Sequence, residues 1–110
     1  RARQEGRSEE ELIAAMSERS VDALADAVQA VARNDLEAGE RAVRDAASVG
    51  PMLERVLQAV TQAPSGPSMR AWSAAAVLVA RHVERVANNA AEIGARVRFL
   101  VTGEPAPLKD

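Results

Sequence analysis

Glu84 and Asn88 stand four residues apart in the stretch Glu84-Arg85-Val86-Ala87-Asn88. On a helix that spacing puts both side chains on one face, so a carboxylate and an amide oxygen could meet one cation. Hard cations ask for six or more oxygens, several of them from carboxylates. One carboxylate and one neutral amide fall far short of that set. The plainer reading is a solvated helix face, with Glu84 paired to Arg81 or to an arginine of a neighbouring helix. His82, the single histidine, would need a nucleophile or a positioned carboxylate to do acid–base work. The sequence identifies neither, which predicts a half-buried packing histidine. No H-E-x-x-H pair, glycine-rich phosphate cradle or paired-acid arrangement occurs. With no cysteine there is no thiol nucleophile, disulfide or thiolate zinc site. The expectation is a protein that is not an enzyme and takes no cofactor.

Composition indicates what positions these residues. Of the 110 residues, 47% are hydrophobic but only 2% aromatic, so the core must be aliphatic. Ala and Leu are strong helix formers and few β-branched runs compete with them, which predicts an all-α fold. The net charge is -2, with acids and bases interspersed. No basic block is present to neutralise a phosphate backbone, and Trp72 and Phe99 alone make no platform for stacking bases. Nucleic acid is therefore not an expected partner. The longest apolar run, residues 74–80, is too short to span a bilayer, and no signal peptide opens the sequence. The lack of cysteine favours a reducing compartment.

Three helices are predicted. Residues 1–7 are charged and patternless, a lead-in. Ser8 and Glu11 form a capping box for the first helix, which runs to about Arg33. Its apolar stripe is Leu12, Ile13, Met16, Leu24, Val28 and Val31, interrupted by Ser17-Glu18-Arg19-Ser20. Asn34-Asp35 makes a turn, and the second helix starts at Leu36. It is expected to bury Val43, Met52 or Leu53, Val56 and Val60. Gly50-Pro51 should kink or split it between Val49 and Met52, or restart it with Pro51 in its first position. Residues 63–68 form the next loop. The third helix carries Met69, Trp72, Ala76, Val79, Val83, Val86, Ala90, Ile93, Val97 and Leu100 at alternating spacings of three and four, a heptad seam. Trp72 is predicted to anchor the core, its indole N–H seeking a partner. Ser73, Ala80, Ala87, Gly94 and Val101 run beside the seam. They are mostly small, which lets a neighbouring helix approach closely and points to an antiparallel three-helix bundle spanning residues 8–104. Gly103 and Pro105 mark the exit, and 105–110 form a tail.

The segment from Arg81 to Glu104 resembles the end of the PhoU family, regulators of bacterial phosphate uptake. Arg81, Glu84, Arg85, Ala90, Ile93, Val97 and the closing Val101-Thr102-Gly103-Glu104 stand at matching positions, and Arg33-Asn34-Asp35-Leu36-Glu37 looks like the turn between the family's first two helices. The resemblance covers about residues 9–104. It implies a PhoU-like bundle, one of two three-helix repeats, with an ending like that of the second. It also implies a cytoplasmic adaptor whose partners are the phosphate transporter ATPase and a sensor histidine kinase. The family's metal site would fall on Glu84, Asn88 and Asp45, but it is degenerate here. Asn88 replaces an acid, Asn89 stands where the family often has His, and Val49 follows Asp45 where a second acid is usual. No metal is expected.

Val77, Leu78 and Phe99 fall outside the seam, on a flank. They are the candidate partner-binding residues, for a second chain in a homo-dimer or for another PhoU-like repeat. The alternative to phosphate regulation is a helical oligomerisation or adaptor module unrelated to phosphate.

Overall fold

A computed structural model of the chain describes residues 9–63 and 66–104. They form α1 (Glu9–Arg33), α2 (Leu36–Ala47), α3 (Val49–Thr61) and α4 (Pro67–Thr102), and no strand occurs among the described residues. The lead-in, Ser8 of the capping box and the 105–110 tail lie outside these residues. The molecule is a rod of 53 × 24 × 22 Å, as long as the 36 residues of α4 at 1.5 Å each.

Local chemistry fixes each helix end. Asn34 takes the left-handed conformation, φ 52°, which Asn tolerates better than most residues. Asp35 then caps α2, accepting the Ala38 N–H at 3.1 Å and the Gln29 amide at 3.2 Å. Those hydrogen bonds, Ala38's first, hold the Asp35 carboxyl below its usual range. α4 opens with Pro67 next to Gly66 and needs no N–H at that position. It closes on Gly103, φ 77°, whose N–H reaches the Phe99 carbonyl at 2.7 Å. The Thr102 hydroxyl donates back to the Arg98 carbonyl and accepts the Glu104 N–H. The Val-Thr-Gly-Glu motif is thus a helix stop, built on the Thr102 hydroxyl and the left-handed Gly103.

The middle helix is bent, but earlier than Gly50-Pro51 suggests. The interruption falls at Ser48, before Val49 rather than between Val49 and Met52. A helical proline leaves the carbonyl four residues back without a donor and crowds it with its ring. For Pro51 that residue is Ala47, the last of α2. Ser48 keeps a helical conformation, φ -77° and ψ -13°, so the chain bends without turning back. Pro51 sits in the first turn of α3, where its missing N–H costs nothing.

α1 and α2 are pinned to one another by contacts that recede from the turn, Asp26–Arg41 at 3.4 Å and Arg19–Ser48 at 3.3 Å. α4 lies against both, with the Ser20 hydroxyl donating to the Val83 carbonyl at 3.1 Å. Ala30 and Gly94 both lie against Gly39.

The core is lined with alanine. Leu12, Met16, Ser20, Ala23, Ala27 and Ala30 are buried on α1; Ala38, Gly39, Ala42 and Ala46 on α2; Val49, Leu53 and Val56 on α3; Ala76, Ala80, Ala87, Ala90, Gly94 and Val97 on α4. Three expectations change accordingly. On α1, Leu24, Val28 and Val31 are exposed, and the buried residues are their neighbours Ala23, Ala27 and Ala30. On α4, Val79, Val86 and Leu100 leave the seam, and Ala80, Ala87 and Gly94 take the interior. Val43 of α2 is exposed as well. The reason is spacing. Backbones that meet at Gly39 and Gly94 are too close for valine or leucine between them.

Candidate functional site

The residues singled out for metal chemistry are divided between two helices. Asn88 is exposed and Glu84 half-buried on α4; Asp45 is half-buried on α2. The acids that Asp45 meets are Asp26 and Asp22 of α1. Burial pushes the Asp45 carboxyl above its usual range, the two aspartates push it further, and Arg19 opposes them. Val49, one turn beyond Asp45, is fully buried and belongs to the core. Among the described residues no group of three or more His, Cys, Asp or Glu side chains is placed to hold a metal ion.

Nor does Glu84 form the ion pair expected of it. Among the described residues the salt bridges are Asp26–Arg41, Glu40–Arg98 at 3.3 Å and Glu92–Arg96 at 3.5 Å. Arg81 and Arg85 both point into solvent, where pairing with Glu84 would gain little. His82 is exposed, not half-buried, because the core of α4 passes through Ala80 and Val83 on either side of it. Trp72 is only half-buried, since the same shift of the interior moves its turn of α4 off centre.

Val77 and Leu78 lie together beside Arg81 and Arg85 in a shallow depression, Val77 half-buried and Leu78 60% exposed. Phe99 is 51% exposed but stands about 32 Å further along the helix at 1.5 Å per residue. The structure joins the first two and not the third.

A larger apolar surface lies elsewhere. Val21, Leu24, Val28 and Val31 form an exposed stripe on α1 at spacings of three and four. On α4, Val79, Val86 and Leu100 recur with half-buried Ile93 between them, seven residues apart. Ser20, one residue before Val21, bonds to Val83, and Val83 lies midway between Val79 and Val86. The two stripes therefore flank one groove, the seam between α1 and α4. Val21 and Val28 are each 60% exposed or more, and Leu100 76%. Isolated apolar residues are ordinary on a surface; a continuous two-helix face is not. Sequence reasoning saw every one of these residues except Val21 and assigned them to the interior.

On the other side, Gly39 and Gly94 leave a notch between α2 and α4, bordered by Glu40, Arg44 and Arg98. The Glu40–Arg98 pair spans it, and the buried Nε of Arg98 has no partner. The titratable groups that line it are the Glu40 carboxylate, paired with Arg98, and the guanidinium groups of Arg44 and Arg98. No helix among the described residues is long and apolar enough to cross a membrane. No protein-family model, no curated protein and no solved structure matches the chain.

Proposed function

We propose that this chain is an antiparallel three-helix bundle of the PhoU type, acting in the cytoplasm as a regulator of phosphate uptake and of the phosphate-starvation response through protein–protein contact, without catalysis and without a metal. The observation that carries the contact-based reading is the apolar face of α1 and α4, a large surface that water alone serves badly. The orientation is supported by the receding α1–α2 contacts. The phosphate reading rests on the resemblance of residues 81–104, in which Arg81, Arg85 and the Thr102-Gly103-Glu104 exit stand on the surface. Val49 in the core, where the family would carry an acid, supports a regulator that has no metal to lose. The proposed partners are the phosphate transporter ATPase and its sensor kinase.

The test is a strain without this chain, carrying a phosphate-starvation reporter. The expected result is a reporter that switches on in phosphate-replete medium and is restored by the parent chain, but not by Leu24→Glu. A reporter unmoved by the deletion overturns the phosphate reading. It would leave the alternative, a helical adaptor module unrelated to phosphate, which the same exposed face favours.

A further inference from the structure

We infer that the notch between α2 and α4 is a binding site for a small organic carboxylate, a compact apolar body carrying one negative charge. The inference goes beyond the regulatory reading above and does not rest on it.

The notch has room for such a molecule. Gly39 and Gly94 bring bare backbone to the crossing, and Ala95 adds a single methyl group beside it. The two helices therefore touch and leave a hollow of about 280 Å³, walled by Val43. An apolar cavity of about 150 Å³ holds benzene, so a ring with a carboxylate attached fits within the volume. Small-ligand pockets are mostly apolar with a few polar groups that fix orientation, and the space between bundle helices is one place where they form.

Charge selects the ligand. The charged groups lining the hollow are two guanidiniums, Arg44 and Arg98, against one carboxylate, Glu40. One positive charge is left over, in a chain whose net charge is -2. Arg44 is exposed and takes part in none of the salt bridges among the described residues. Arg98 is engaged at one nitrogen only, its Nη1 donating to Glu40 at 3.3 Å. Its Nε is buried without a partner. Nε and Nη2 form the guanidinium edge on which a carboxylate is taken side-on, through two parallel hydrogen bonds. The tie to Glu40 is long and partly exposed, hence weak, and the guanidinium can turn that edge toward the hollow. A carboxylate there satisfies Nε, while Arg44 supplies the second positive charge. The glycine, alanine and valine lining then favours a body that leaves water. Inorganic phosphate has no such body and would hold by charge alone, at an open site where salt screens it.

The experiment titrates the isotope-labelled chain with sodium benzoate at constant ionic strength, followed by NMR. The Gly39, Gly94 and Ala95 amides and the Arg98 Nε–H should move along one saturating curve, half-complete on the order of 1 mM. Benzyl alcohol, nearly the same shape without the charge, should bind at least about 10-fold more weakly, and so should Arg44→Gln with benzoate, each having lost a charge-assisted contact. Ala95→Leu should fill the hollow and abolish the shifts with helicity kept. Should Ala95→Leu unfold, Arg44→Gln decides alone, since Arg44 is exposed and outside the core. Shifts that scatter over the surface without saturating overturn the inference. So does benzyl alcohol binding as well as benzoate, or a folded Arg44→Gln that binds like the parent. Inorganic phosphate saturating the same signals as tightly as benzoate also overturns it, because the hollow would then hold any small anion. The reporter strain is read separately. Reporter control without benzoate binding removes this site and leaves the regulatory reading, and binding with an unmoved reporter does the reverse.

Discussion

The close approach of α2 and α4 at Gly39 and Gly94 predicts a sensitive substitution, Gly94→Ala. A Cβ built on Gly94 would lie 2.5 Å from the Gly39 carbonyl oxygen and 3.3 Å from the Ala42 Cβ. Both obstacles are short and rigid: one is backbone, the other a methyl group on the same helix. No rotamer relieves the contact, so α2 and α4 must separate by most of an ångström. That separation loosens Ala38, Ala42, Ala87 and Ala90, which pack at the same crossing and have no length with which to follow. Overpacking of a tight core costs about 1–3 kcal/mol. The gain in helix propensity from Gly to Ala returns about 1 kcal/mol. Steric cost should win, leaving a net loss of up to about 2 kcal/mol, a substantial part of the roughly 5–15 kcal/mol that stabilises a domain.

Gly39→Ala grades the argument. Its Cβ would meet the Gly94 oxygen at 3.0 Å and the Ala30 Cβ at 3.7 Å, a milder conflict, so propensity should nearly offset it. Urea unfolding followed by circular dichroism measures both. The expected order of stability is parent, then Gly39→Ala close to it, then Gly94→Ala well below, with a midpoint temperature lower by about 5–10 °C. Should Gly94→Ala equal or exceed the parent, the glycine contact would not be what sets the α2–α4 distance, and the account of the alanine core would fail with it.

Asp45→Asn should raise stability at pH 7. Burial and the charges of Asp26 and Asp22 raise the folded-state pKa of Asp45 above its unfolded value. The folded protein therefore holds that proton more tightly, and stability falls as pH rises from the unfolded value through the folded one. The amide removes that loss and also a negative charge from the last turn of α2. The gain, about 0.5 kcal/mol as for other partly exposed sites, should vanish below about pH 3.8, where Asp45 is protonated in both states. Chemical unfolding of both proteins at pH 7 and pH 3.5 checks it; an equal difference at the two pH values would refute it. For metal, protein purified without chelator should carry no stoichiometric iron or zinc by elemental analysis, and Asn88→Asp alone should not create a site, because Val49 is locked in the core. Metal present in the parent and lost in Glu84→Ala would sink that expectation.

The sequence carries the helices more clearly than the faces they bury. Helix ends are local. Asn34-Asp35 and Thr102-Gly103-Glu104 each act within four residues and stand where their chemistry suggests, while α4 begins at Pro67, inside the loop expected over 63–68. The bend is nearly local. It shifts to Ser48 because a proline acts on the carbonyl one turn before it, a rule that could have been applied to Ala47 from the sequence. Which face turns inward is a different matter, since it depends on how close the partner helix comes. On α1 the stripe Leu24, Val28, Val31 and the stripe Ala23, Ala27, Ala30 have the same period and differ by one residue. On α4, Val79, Val86, Ile93 and Ala80, Ala87, Gly94 do the same. Periodicity cannot choose between such stripes, and hydrophobicity chooses the larger side chains. The distance between helices decides for the smaller ones, and the signal lies in two places at once, Gly39 on one helix and Gly94 on another.

The same rotation explains why the candidate partner surface was misplaced. Val77, Leu78 and Phe99 are flank residues of a seam centred on Val79 and Val86. Once the seam turns by one residue, those valines become the surface themselves, joined by the outward stripe of α1. A chain that gives its tightest contacts to alanine and glycine buries little apolar area per residue. It also keeps valine and leucine in reserve on a face they do not need for the bundle. That reserve is what a protein partner would cover. On this argument the two classes of substitution should separate cleanly. Changes at Gly39 and Gly94 act on the stability of one chain, while changes at Val21 and Val28 act on association and leave the fold of the single chain intact.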